Sequence, residues 1–515
     1  MRYILTILCC FILASTVKAN KKTKRDSLVF ASFQEREFII PALQNNNAML
    51  RLTPYQRLGM TTFNWERQNI ENFNIQKPES QTQYSFSSLG FKKIGKFNLY
   101  GDVRYRRVYA DSIAWLNATM PQNGSPFYFG NIKAGNWDNE MYNIKAAVAY
   151  EITSSLSAGI RPEYAYRGDS RGNDPRGKID SYDVYHEGFF DYSLKKNILI
   201  GLFYGYGATS EVTDIDNSNE EHDSFGATEY NIYTFQGNGY YRVNLHNNSR
   251  RKSFRNNYGL NTRLETNKGT THSLKYTYTH QKERFIYRTR PIDGKEIDDQ
   301  LIGTYIAKTQ HLEYFSIKRK AGVTNILKSN ILYRTGADNQ PKLGGENFQS
   351  TLMAFDSEWF YAKTNSKTYK FYNLGLKGHI ETKKDRVANL DQKETPISIK
   401  IGAGRSLGPS TSKTILSLTG EYFFSPIKEI EYRSSAKNVV YEEVLLPLHQ
   451  YRTASGIRAK AAVDFRLDFW NKIDAYLTTY ASTEQRFSSD LKGGNSWTLG
   501  ASFRFGIAKE KTESK

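Results

Sequence analysis

The stretch SGIRAKAAVDFRLDFWNKIDAYLTTY, Ser455 to Tyr480, alternates between apolar and charged side chains and then begins to alternate again. In an extended chain Ile457, Ala459, Ala461, Val463, Phe465 and Leu467 share one face, while Arg458, Lys460, Asp464 and Arg466 share the other. Period two is the mark of a strand, because successive side chains leave a pleated backbone on opposite sides. One side of such a strand needs an apolar medium along its whole length. A second sheet supplies one, and so does hydrocarbon.

The same pattern recurs in FNLYGDVRYR, YNIKAAVAYEI, NILIGLFYGYG, YNLGLKGHI, PISIKIGAGR and SWTLGASFRFGI. These runs reach about ten residues, longer than the typical strand of roughly 5–6 and close to the roughly 9–11 that a tilted membrane strand needs. The connections sort into two kinds. FKKIGK, SLKKN, TNKGT, KRKAG, KTNSKT, GPSTSK and DFWNK are short. Residues 108–140, 168–180, 208–253, 283–308, 335–349, 381–395, 425–451 and 486–496 form long polar connections. From Lys268 onward the two kinds alternate, as short periplasmic turns and long outer loops do in a membrane barrel. Lysines in the short turns suit polar solvated turns, and equally suit snorkelling to anionic headgroups.

The leader MRYILTILCCFILASTVKAN has a basic start, an apolar run and a Val17-Lys18-Ala19 cleavage pattern, so residues 1–19 read as a signal peptide. Both cysteines, Cys9 and Cys10, lie inside it. The mature chain therefore has no disulfide and no thiolate metal site. After Ala19 no segment approaches the roughly 18 consecutive apolar residues of a membrane helix, and mean hydropathy is −0.62. A barrel escapes such an average because its lipid face is interleaved with polar positions. The 36 Tyr and 30 Phe fit strands and membrane interfaces. Trp470 and Trp497 suit interface girdles, with a soluble core as the other reading. Export argues against nucleic acid as the partner of the net charge of +19. Anionic lipid, lipopolysaccharide or an anionic solute fits better.

The expected fold is all-β, a transmembrane antiparallel up-and-down barrel of about 18 strands, within a range of 14–18. Residues 59–507 form the barrel, 508–515 a polar tail, and 20–58 an N-terminal segment that is either luminal or a periplasmic lead-in. Residues 230–245 alternate well but break the up-and-down parity, so they are expected to form a hairpin above the membrane, turning at 237–239. With apolar faces on lipid, the lumen-lining candidates are Asp102, Arg104, Arg106, Arg161, Arg263, Lys275, Lys377, Lys400, Arg458, Lys460, Asp464 and Arg466. Bases outnumber acids among them. Either the lumen favours anions, or these bases pair with luminal acids and the N-terminal segment in a filled barrel.

No catalytic, cofactor or metal motif stands out. The eight histidines form neither HExxH nor another paired ligand spacing. The acidic stretch DIDNSNEEHD, Asp214 to Asp223, lacks the glycine and closing glutamate of an EF-hand and reads as a solvated loop.

The Lys, Asn and Tyr richness, the long paired strands and the closing SFRFGI resemble outer-membrane barrels of the Bacteroidetes type, in particular an uncharacterised family associated with TonB-dependent uptake systems. That resemblance implies contact with outer-membrane lipid and lipopolysaccharide, folding by the barrel-assembly machinery, and a TonB-dependent transporter as partner. It implies no settled activity; no enzyme and no cofactor are expected. One departure is that Phe505 is followed by GIAKEKTESK instead of ending the chain. Three function classes remain: a solute channel or accessory uptake component, a closed docking subunit, and a membrane hydrolase.

Overall fold

The computed structural model describes residues 50, 55–71, 75–117, 124–223, 228–243, 247–267, 269–287, 300–320, 322–365, 368–407, 414–467, 474–487 and 494–510. The first half of the wall is β1 (Tyr55–Ile70), β2 (Ser80–Ile94), β3 (Phe97–Ile113), β5 (Gly135–Glu151), β6 (Leu156–Arg171), β7 (Arg176–Lys195), β8 (Ile198–Asp216), β11 (Asn248–Glu265) and β12 (Thr270–Tyr287). The second half is β13 (Gln300–Lys320), β14 (Val323–Asn339), β15 (Phe348–Thr364), β16 (Tyr369–Asp385), β17 (Leu390–Glu394), β18 (Ile397–Ser406), β19 (Thr414–Phe424), β20 (Lys428–Tyr432), β21 (Ser455–Leu467), β22 (Asp474–Phe487) and β23 (Asn495–Glu510). Three shorter strands, β4 (Phe127–Asn131), β9 (Ile232–Gln236) and β10 (Tyr241–Val243), form a separate sheet, and α1 (Leu446–Thr453) follows a π-helical turn.

Every wall strand pairs antiparallel with its neighbours, and β1 pairs with β23 from Tyr55↔Glu510 to Ile70↔Ser496, which closes the barrel. Prolines interrupt two crossings. Pro396 separates β17 from β18, and Pro426 separates β19 from β20, where a missing N–H cannot join the ladder. Counting each broken strand once gives 18 crossings. Both ends of the described chain lie at the rim that carries the short turns.

The outer surface is apolar as the alternation requires. Phe190, Leu202, Ile401 and Leu418 are each 63–64% exposed, and among the described residues no second sheet covers them. Tyr105, Tyr142, Tyr166 and Tyr182 stand side by side on β3, β5, β6 and β7, with ring centroids 5.0, 6.1 and 5.1 Å apart. Their hydroxyls and neighbours turn polar on the loop side, where Tyr166 donates to Asp180 at 2.7 Å and Arg107 pairs with Asp138 at 2.7 Å. On the turn side Phe97 packs on Tyr150 at 4.9 Å. Between the two aromatic levels β3 runs from Phe97 to Tyr105, which matches the roughly 9–11 residues of a tilted membrane strand.

The strands outrun that belt, and this corrects several expected boundaries. The long connection expected at 168–180 is only the four residues between Arg171 and Arg176. Above the hydrocarbon the outward face of a strand meets water, so the apolar alternation fades and the sequence looks like loop. The barrel begins at Tyr55 rather than at residue 59, and β23 continues to Glu510 rather than stopping at 507, because these residues pair across the closing seam. The hairpin expected within 230–245 is present as β9 and β10, with its turn at 237–240. Trp497 is exposed on the outer face near the loop rim, as an interface residue would be. Trp470 lies outside the described residues.

An Ile401→Arg substitution places a charge in the belt and should cost about 2–4 kcal/mol of folding free energy in bilayers. Ser417→Arg, on the neighbouring luminal face, should cost less than about 1 kcal/mol. Equilibrium folding into vesicles, read by heat-modifiable mobility on gels, checks both.

Candidate functional site: a charged chamber between two apolar closures

The inward positions of the strands build three layers. At the turn end the inward side chains are apolar. Phe315, Ile326, Phe360, Ala362, Tyr369, Ile415 and Tyr476 form one cluster. Leu58, Phe91, Tyr100, Ala147, Ala149, Phe189 and Phe203 form a second with Leu50, the one described residue of the segment before β1. Met60 packs against both, so the two clusters meet in a floor. Leu50 is fully buried among wall residues, which places this point of the N-terminal segment inside the lumen.

The loop end is closed by chain that folds back into the mouth. Phe127 of β4 stacks on Phe285 of the wall at 5.5 Å, and Arg251 donates to the Phe127 carbonyl. Beneath that contact Arg251 lies between Glu211 and Glu283, all three almost completely buried. The β9–β10 turn crosses to the far wall. There Asp385 accepts from the Tyr240 N–H at 2.9 Å, and Asn438 donates to the Gly239 carbonyl at 3.1 Å. A Cβ on Gly237 would run into the Asp385 carboxylate and the Asn347 amide, so a larger residue at this crossing has to displace them. Trp115, Tyr233, Phe235, Leu390, Val444 and Leu445 fill the space between this sheet and the helical segment.

Helix α1 is fixed to the wall by charge. Arg452 reaches Glu381 at 2.8 Å and also bonds Glu394, while Lys383 meets Glu381 at 3.0 Å. His449 lies 3.3 Å from Glu394, and Arg486 lies over the Tyr451 ring at 3.7 Å. Among the described residues one group brings metal-type ligands together: His379, Glu381 and Glu394, with ligand atoms within 4.8 Å of one another. The Arg452 guanidinium occupies this place, 3.4 Å from His379 Nε2 and bonded to both carboxylates. A cation is already supplied by the chain, and the group acts as a latch on α1.

Between floor and cap lies a cavity of about 510 Å³ against β14–β23. Its lining includes Lys328, Lys400, Arg458, Lys460 and Arg504, facing Glu358, Glu421 and Asp464. Lys400 pairs with Glu358 at 2.6 Å, and Arg458 and Lys377 both reach Glu421, at 2.8 and 2.9 Å. Lys460 lies over the Tyr480 ring at 4.1 Å, and Thr478 donates to Asp464. A second cavity of about 330 Å³, lined by Lys377, His379, Arg452, Arg458 and Arg486, leads from Glu421 toward the latch.

The twelve luminal candidates fall at several places around the lumen. Lys377, Lys400, Arg458, Lys460 and Asp464 line these cavities. Arg466 is on the same face of β21, with Arg458, but outside the lining. Asp102, Arg104 and Arg106 share the inward face of β3, and Arg104 pairs with Asp102 at 2.7 Å. Arg161, Arg263 and Lys275 are buried against the opposite half of the wall. The acids of the 214–223 stretch do not converge. Its His222 turns instead to Asp174, which also accepts from the N–H groups of Ser218 and Asn219. Sequence reasoning did not find the latch, whose members sit on β16, β17 and α1.

A closed, even-stranded barrel with a lipid-facing apolar exterior, whose first and last described wall residues meet at the short-turn rim, is an outer-membrane β-barrel. The chain belongs to the family of unknown function DUF6850, whose model matches residues 47–507. No curated protein matches. Solved structures with a similar trace include the ferric preacinetobactin receptor BauA of Acinetobacter baumannii, with 10% identity, 87% of this chain and 80% of that one covered, and a TM-score of 0.36. The ferric-catecholate import receptor Fiu of Escherichia coli K12 has 8% identity, covers 87% and 81%, and scores 0.39. OccK9 of Pseudomonas aeruginosa has 8% identity, covers 88% and 98%, and scores 0.36.

Two outcomes test this geometry. Burial alone would raise the pKa of Asp174. The Ser218 and Asn219 N–H groups, His222 and Arg176 outweigh it and bring the carboxyl down to about 2. Its hold on 217–223 is therefore complete above the ordinary carboxyl range and lost only as pH falls through about 2. Radical footprinting should show 217–223 protected at pH 5 and released near pH 2, with Asp174→Asn released at both. At the latch, Arg452→Gln takes the guanidinium from buried Glu394 and leaves Glu381 with Lys383 as its remaining cation. Amide exchange in α1 should speed up at least about tenfold, or roughly 1.4 kcal/mol.

Proposed function

We propose that this protein is the membrane barrel of a solute-uptake system of the Bacteroidetes type, resting in an occluded state and working as a gated channel or beside an active, TonB-dependent transporter. The chamber carries the reading. A barrel whose only task is structural can pack its lumen fully, as most protein interiors are packed. Here a charged space of about 510 Å³ lies between two apolar closures, against one half of the wall. Passage then requires movement of the floor around Met60 and Leu50 and release of α1 at the cap. Basic chemistry along the space would bias what passes. Catalysis forms no part of this reading.

A second reading, a closed docking subunit, draws on the same closures: loops that fill the mouth present a fixed outer surface to partners. Conductance in planar bilayers separates the two. The intact chain should be silent or nearly so. Leu50→Glu combined with Arg452→Gln, which loosens floor and cap together, should give discrete openings. A correctly folded double variant that stays silent would leave the docking reading standing.

A further inference from the structure

We infer that the chamber against β14–β23 is a binding site for a small organic oxyanion, a carboxylate or phosphate carried on a polar skeleton; this rests on the uptake reading and gives its substrate class. The first observation is charge. Five bases and three acids face the same space. Glu358 and Glu421 are already engaged by Lys400, Lys377 and Arg458, so the field of the chamber remains positive. The second is size. About 510 Å³ lies within the range of roughly 300–1,000 Å³ found for small-molecule sites, and is far more than a bare ion needs. The third is the neutral lining. Asn373, Ser417 and Thr419 offer an amide and hydroxyls, while Phe371 borders the space on the floor side and packs on Phe360 at 5.7 Å. Hydroxyls and an amide beside a ring suit a polyhydroxylated skeleton with one apolar face, and the bases suit its anionic end.

Three probes that share a pyranose ring test this on the full chain in detergent, by calorimetry: glucose 6-phosphate, glucuronate and glucose. Both anions should bind, with affinity falling as salt rises, and glucose at least tenfold more weakly. Thr419→Glu exchanges one lining hydroxyl for an acid while leaving every base of the chamber in place, and should weaken both anions about tenfold. Lys460→Gln should do the same to a smaller degree, while heat-modifiable mobility confirms folding of each variant. Phosphate binding without carboxylate binding narrows the class to phosphorylated solutes and supports the site. Equal binding of glucose, absence of binding by all three, or anion binding unaffected by Thr419→Glu would overturn it. Openings in the bilayer experiment with no binding here would remove the site and leave the uptake reading intact.

Discussion

Water on one side of each strand and hydrocarbon on the other is the condition from which this architecture follows. It fixes register, since a slip of one residue would put Arg458 and Lys460 into lipid and Ile457 and Ala459 into the lumen. It also makes the lumen an unusual interior, one that a strand pattern alone leaves polar from end to end. The chain departs from that pattern at two heights. Near the turn rim the inward positions become Phe, Tyr, Ile and Ala, and near the loop rim inward aromatics receive the folded-back sheet. Each large apolar side chain buried there contributes roughly 1.5–3 kcal/mol. The closures are therefore small hydrophobic cores inside a membrane protein, not incidental fillings.

The two closures differ in how they are held. The floor is made of wall side chains and a residue from the N-terminal segment, joined by dispersion and apolar burial. The cap is held by apolar contacts plus charge. The Glu211–Arg251–Glu283 triad lies under β4, and the Arg452 cluster lies under α1. Buried ion pairs add little net stability but make the loss of one partner expensive. They specify one arrangement and give that arrangement an abrupt release. The charged chamber lies between a closure that yields to apolar competition and one that yields to ionic competition.

How much of this was legible depended on where hydrocarbon enforces alternation. Leu202, Leu374, Ile401 and Val463 show the lipid face at once, and Arg458, Lys400 and Asp464 follow as luminal. The parity break at 230–245 was enough to place a hairpin off the wall, because two crossings cannot fit in so few residues. Above the belt the signal disappears. Gly168, Ser170, Lys178 and Asp180 take outward positions that apolar residues hold below, so the continuation of β6 and β7 reads as loop. The latch was invisible for a different reason. Glu381, Glu394 and Arg452 are brought together by strand pairing and by a helix after β20, and no local spacing marks that meeting. The cavity against β14–β23 and the burial of Arg161 and Arg263 on the opposite side could not be read either, since both depend on what lies across the barrel.

The pairing of β1 with β23 has a kinetic consequence. It joins the earliest wall segment to the last, and Tyr480 completes a bond to Glu66 across 414 residues of chain. Until the polypeptide is fully delivered, the edge bearing Phe63 and Trp65 has no permanent neighbour. Such an edge invites mispairing and aggregation, and so remote a contact forms slowly. Biogenesis must therefore shelter the opening strand until its mate arrives, which makes the zipper between them the last and most vulnerable step in the life of the nascent barrel.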